Sequence, residues 1–315
     1  MKTGLLVTLI ISGVVLTLGA VALIVGIVNN SNNPVVTNTY DINGNVSNFN
    51  IDVGTVDVNF VPTSDGSTKV VCHELKKIPH EVKVVENTLT IQKQDLRKWY
   101  EMIFNWNFDK KDITIYLPEG EYQTLKLNSS TGNVTIPNNY SFEKGNIALS
   151  TGNLNISSNI KTDLDIKSST GDINIQGLTA NNLSINASTG NVNVKNVVIN
   201  ETVNTHTSTG HISYTNVNAK EGDFSASTGK VKLESLLIQN HLKIQTSTGD
   251  VNIKSSDASS LYIKASTGDV DAELLSAKTF KVETSTGKIN VPTSSTGGLC
   301  EVTTSTGDIH VTIKN

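Results

Sequence analysis

The tripeptide Ser-Thr-Gly returns ten times at near-constant spacing, and that spacing constrains the fold more than any other feature of the chain. The glycines are Gly132, Gly152, Gly171, Gly190, Gly210, Gly229, Gly249, Gly268, Gly287 and Gly307, always nineteen or twenty residues apart. A period of this length marks units that cannot bury an apolar face alone and must stack on their neighbours. Aligned on the glycines, the positions two and four residues later are apolar in almost every unit, from Val134 and Ile136 to Ile309 and Val311, with polar residues between them. That alternation is a strand with one buried face. A second apolar column stands five residues before each glycine, from Leu127 and Ile147 to Val282 and Val302, interrupted by Thr205.

Each unit therefore predicts a strand, a Ser-Thr-Gly corner, a second strand and a variable return. Glycine accepts the positive φ of a tight corner, and the Asp or Asn that often follows it suits a turn. Stacked at ~4.8 Å per coil, the units make an all-β solenoid of about ten coils, a rod about 45–50 Å long. Phe49 to Phe60 carries the strand–glycine–strand pattern without Ser-Thr, and Val82–Val85, Leu89–Ile91 and Ile113–Leu117 are further strand-like runs. Residues 40–125 are thus expected to be irregular N-terminal coils interrupted by an aromatic insert, and residues 126–315 the regular solenoid.

The rod is preceded by a segment of another kind. Gly4 to Val28 contains no charged residue and is rich in Leu, Val and Ile. As a helix it would measure roughly 37 Å, enough to cross a ~30 Å hydrocarbon layer with tilt. Ala20-Val21-Ala22 has the small-residue spacing of a signal-peptide cleavage site, but the apolar run continues to Val28 and exceeds the usual signal core. The reading is one uncleaved transmembrane helix over residues 1–28 and a flexible, Asn-rich tether over residues 29–39. Lys2 precedes the span and no basic residue follows it closely, so the positive-inside bias puts the remaining chain outside the cell membrane.

Composition narrows the function by exclusion. The net charge is −4, and Arg97 is the sole arginine among 25 Lys and Arg. A nucleic-acid groove needs a clustered basic face with arginine forks, which is missing here. His206, His211, His241 and His310 fall in four different columns and cannot stack into a metal ladder. Asp172, Asp250, Asp269 and Asp308 follow corner glycines, yet Lys230 and Lys288 share that column, so turn chemistry accounts for them without calcium. Neither a catalytic residue nor a cofactor is predicted. A polysaccharide-processing enzyme would need a carboxylate cleft that the columns do not form. Thr-Ser-Thr runs such as Thr207–Thr209 evoke ice-binding solenoids, but Ala187, Ala226 and Ala265 alternate with Thr there and the position shares the buried face. Cys300 sits in the column of Leu242 and Leu261, which predicts a buried thiol, and Cys72 lies too far along the rod to pair with it.

Two segments stand out as possible interfaces. Arg97 to Phe108 holds both tryptophans, and its rings (Trp99, Tyr100, Phe104, Trp106) either cap the open first coil or meet lipid headgroups or a partner. The final coil, with Ile309 and Val311, is expected to leave an unpaired edge at the distal tip, open to a second copy or to a partner strand.

The apolar anchor, the Val53-Gly-Thr-Val-Asp-Val58 coil, the Asn87-Thr-Leu-Thr-Ile91 strand, the Ile115-Tyr-Leu-Pro118 element and the Ser-Thr-Gly-Asp repeats together resemble the bacterial "putative adhesin" β-strand-repeat family, also called toastrack-like. The resemblance covers about residues 40–315, with the aromatic insert near Trp99 as a departure. It implies a non-enzymatic, adhesin-like envelope protein that binds or scaffolds at the cell surface. The alternative is a regulatory sensor, since members resemble components of envelope-stress systems. It brings no catalytic residues.

Overall fold

A computed structural model of the chain describes residues 33–99 and 110–314. The expected span Gly4–Val28 and the insert residues Tyr100, Phe104 and Trp106 lie outside the described residues. What is described is an all-β solenoid of roughly 10 turns. Among the described residues no helix is long and apolar enough to cross a membrane.

The Gly190 coil shows how the columns become walls. Leu183, Ile185 and Ala187 run into the corner, Val192 and Val194 leave it, and all five are buried. Parallel in-register pairing sets Val192 between Ile173 and Ile212. A second corner follows six residues after the glycine, and it is absent from the strand–corner–strand expectation. Gly177, Asn196, Asn216, Ser235 and Ser255 occupy it with φ of 68°, 55°, 55°, 53° and 47°. The chain then turns into a third apolar run, Val197 and Ile199 in this coil. Asn tolerates this left-handed region better than most side chains, and here Asn216 Nδ2 also donates to Asn196 Oδ1 at 2.8 Å.

At the first corner every repeat glycine has φ between 127° and 153°. Conformation is only half of the requirement. A Cβ on Gly229 would lie 2.0 Å from the Gly210 carbonyl oxygen, and one on Gly210 would lie 1.9 Å from that of Gly190. The glycines stack backbone to backbone, so no side chain fits between coils.

Neither end follows chain order. Thr267 and Val270 pair with Thr306 and Ile309, so the Gly307 coil stacks directly on the Gly268 coil. Among the described residues the Gly287 coil then pairs only with the Gly307 coil. The chain skips one level, builds the outermost coil, and turns back to fill the gap. A further Ser-Thr-Gly, Ser295–Gly297, falls out of phase and lies in that reversal. The expected distal edge is therefore corrected. Ile309 and Val311 are 1% and 2% exposed, and the outermost coil instead holds half-buried Phe280, Val282 and Val291 with Ile289 at 46% exposure.

The N-terminal end makes the same detour. Its strands are β1 (Val35–Ile42), β2 (Asn48–Thr55), β3 (Asp57–Thr63), β4 (Thr68–Leu75), β5 (His80–Val85), β6 (Thr88–Lys93) and β7 (Asp112–Pro118). β2 lies between β6 and the Gly132 coil, and β3 lies between β7 and the same coil. The outermost coil is thus β6 and β7, reached after the penultimate one. Antiparallel β5 extends β6, while β4 and then β1 extend β7. Val35–Thr39, read from sequence as the end of a flexible tether, belongs to β1 and is paired along its length. The pairing register also corrects the reading of Phe49–Phe60: Thr55 stands opposite Thr131 and Val58 opposite Val134, so Val56, not Gly54, occupies the corner.

Candidate functional site

The walls carry ladders of polar side chains, and their geometry explains the column that follows each corner. The amide of Asn153 donates to Asn133 Oδ1 at 3.0 Å, that of Asp172 to Asn153 Oδ1 at 2.8 Å, and that of Asn191 to Asp172 Oδ1 at 2.8 Å. His211 and Lys230 continue the ladder, the Lys230 amide donating to His211 Nδ1 at 2.9 Å. It resumes with Asp269 on Asp250, Asp308 on Asp269 and Lys288 on Asp308, in the spatial order of the coils rather than chain order. These carboxylates and amides act as acceptors for backbone N–H groups. No group of three metal-ligating side chains occurs among the described residues. The remaining wall histidines likewise bond to the next coil, His206 to Ser225, His241 to Ser260 and His310 to Asn290.

The small column beside the corner points inward. Thr207, Thr246 and Thr304 are at most 4% exposed, and Thr246 Oγ1 donates to the Gly249 carbonyl at 2.8 Å. These hydroxyls are therefore not displayed on the surface. Cys72 and Cys300 are both buried and free.

At the N-terminal end the corner column stops. The chain leaves the outermost coil after Lys93 and rejoins it at Asp112, so among the described residues nothing stacks on Thr55-Val56 as one glycine stacks on the next. A cavity of about 210 Å³ occupies that level, lined by Gly54, Thr55, Val56, Glu74, Leu75, Ile78, His80, Lys93, Arg97 and Lys111. Gly54 leaves room for the Lys93 stem, because a Cβ there would meet Lys93 Cδ at 2.7 Å.

The lining of this cavity includes a buried acid–imidazole pair. His80 Nδ1 is 2.6 Å from Glu74 Oε2, which also accepts the His80 amide at 2.7 Å. Glu74 Oε1 accepts from Asn38 Nδ2 at 2.6 Å. Both residues are almost fully buried, and among the described residues His80 Nε2 has no hydrogen-bond partner. Nδ1 is thus taken up by the carboxylate, and the buried Nε2 is the ring nitrogen left over. Glu74 and His80 are adjacent only because β4 and β5 come from the irregular region, where no column exists to reveal them.

Trp99, the one tryptophan described, is 75% exposed. Among the described residues the aromatic packing at this end comes from Phe49, Phe60, Tyr122, Tyr140 and Phe142, with Phe49 5.8 Å from Phe60 and 5.9 Å from Phe142 between ring centroids.

A parallel-stacked β-solenoid with glycine corners and detouring end coils defines the class, and the chain belongs to the Toastrack DUF4097 family, whose model matches residues 46–234 and 179–315. Solved structures similar to it include a "putative adhesin" from Bacteroides fragilis, at 19% identity and a TM-score of 0.38, covering 89% of this chain and 97% of that one. Another "putative adhesin", from Parabacteroides distasonis, has 16% identity, a TM-score of 0.44 and coverages of 89% and 97%. A "putative lipid binding protein" from the same species has 12% identity, a TM-score of 0.41 and coverages of 86% and 96%. No curated protein matches the chain.

Proposed function

We propose that this is a non-enzymatic, single-pass membrane protein of the cell envelope, in which Gly4–Val28 is the anchor and the rod binds or scaffolds at the surface in an adhesin-like role. The observation that carries this reading is the use made of the wall side chains. Asn, Asp and His groups that could serve chemistry are committed to coil-to-coil hydrogen bonds, which yields a stiff rod with polar walls. The envelope placement rests on the apolar run and the positive-inside bias. Protease added to intact cells should remove an epitope placed in the Gly229 coil while the N-terminal fragment stays in the membrane fraction. Recovery of the chain in the soluble fraction, or full protection of the epitope, would remove the proposal.

The cavity lined by Glu74 and His80 favours the alternative, a regulatory sensor, because it stands at the rod end joined to the anchor segment and its lining includes an imidazole with a nitrogen unpartnered among the described residues. Replacing Gly4–Val28 by an unrelated membrane helix separates the two. A scaffold keeps its phenotype, whereas a sensor that signals through its own helix loses it.

A further inference from the structure

We infer that two copies of the chain join tip to tip through strand Lys278–Thr286, antiparallel and centred on Val282. This strand pairs on one side only, with Gly298–Thr306, so its other edge is unpaired among the described residues. Its inward residues Phe280 and Val282 are only partly buried, whereas residues in the same columns of inner coils, such as Leu261 and Ile263, are at most 2% exposed. Solenoids usually blunt such an edge with like charges, prolines or a covering segment. Here the exposed face alternates Thr279, Lys281, Glu283 and Ser285.

That alternation is self-complementary. In an antiparallel pair about Val282, each Lys281 stands opposite Glu283 of the other copy, and Thr279 stands opposite Ser285. On the inner face Val282 meets Val282, and Phe280 meets Thr284. Moving the centre to residue 281 or 283 sets Lys against Lys or Glu against Glu, which is unfavourable for directly opposed residues. Lys281 already bonds to Glu301 of its own neighbouring strand at 2.7 Å, so each interface lysine would bridge two carboxylates. The two-fold axis of such a pair runs perpendicular to the sheet, so both cores stay on the same side of one continuous wall. A second copy thus pairs the free edge and covers the half-buried apolar groups together. The inference rests on the rod architecture and not on the proposed anchor or role.

Sedimentation of the full chain, solubilised where necessary, tests it with three samples. Wild type should be dimeric, while K281E and E283K should each be monomeric, since each sets like charges opposite one another. A 1:1 mixture of the two should recover the dimer, because positions 281 and 283 are then both acidic in one chain and both basic in the other. Thermal melting of each variant confirms that the coils are intact. Register is read independently by mixing K281C with E283C under oxidising conditions, where the 281–283 disulfide should dominate over 281–281 and 283–283. A monomeric wild type, a dimer indifferent to both charge reversals, or variants that fail to recover on mixing would each overturn the proposal. A tip occupied by a different protein would leave the purified wild type monomeric and count against it in the same way.

Discussion

At the corner glycines two constraints coincide, and they can be separated by substitution. Gly229 is held at φ 141° with its α-carbon against the Gly210 carbonyl, whereas Gly177 sits at φ 68° with nothing within 4 Å of an added Cβ. Gly229→Ala should therefore cost well above the ~1 kcal/mol that separates glycine from alanine at ordinary positions, because both strain and a backbone collision must be relieved. Gly177→Asn should leave stability nearly unchanged, since Asn196 and Asn216 already hold that corner in the next two coils. Denaturant unfolding of the two variants checks the contrast. The cysteines permit a second prediction. Burial pushes the Cys72 and Cys300 thiols up to about 12. Both should resist a thiol reagent at pH 8 in the folded chain and react on denaturation. The linkage follows from the direction of the shift. In the unfolded chain a cysteine loses its proton near the usual 9, so between about 9 and 12 the folded state binds more protons and stability falls as pH rises.

Among elements, the ladder after the corners has one missing rung, and the sequence says why. Lys230 is the only member between Asn133 and Asp308 whose side chain accepts nothing, so among the described residues no side-chain acceptor holds the Asp250 amide, although Lys230 Nζ pairs with Asp250 Oδ2 at 2.8 Å. Replacing Lys230 by Asn, as at positions 133, 153 and 191, should supply the acceptor and raise stability by ~0.5–1.5 kcal/mol. The exposed ion pair it gives up is worth little against that gain. A rise in the melting temperature, abolished in Lys230→Ala, is the expected result. The ladder column was legible in sequence as turn residues. Its bonding role was not, because a turn and an acceptor for the next coil call for the same Asn and Asp.

For the whole rod, the inserted coils make both ends depend on interlocked rather than sequential contacts. Ending the chain at Gly297 would remove not the last coil in space but the one that joins the Gly268 and Gly287 coils. Hydrogen exchange on that truncation should show lost protection over Lys278–Asn290, although none of those residues is deleted. The Gly152 to Gly229 coils should keep theirs. Protection retained over Lys278–Asn290 would mean that the Gly287 coil can stack directly on the Gly268 coil.

The sequence alone determined the repeat, the glycine corners and the apolar columns, because each is a local demand repeated along the chain: a φ that only glycine tolerates, an alternation that only a strand satisfies. Members of one column are apolar residues of similar volume in equivalent slots, and such residues exchange at small cost without changing the pattern. That near-equivalence is why stacking order could not be read from it. Ile289 and Ile309 are both β-branched residues two places after a corner glycine, yet one is 46% exposed and the other 1%. Only the tertiary structure decided which coil lies outermost, since pairing between strands depends on partners the chain supplies elsewhere. It also brought Glu74 onto His80 and put Val56 at a corner in place of glycine, where the departure of the chain at Lys93 leaves, among the described residues, no stacked corner to collide with a side chain.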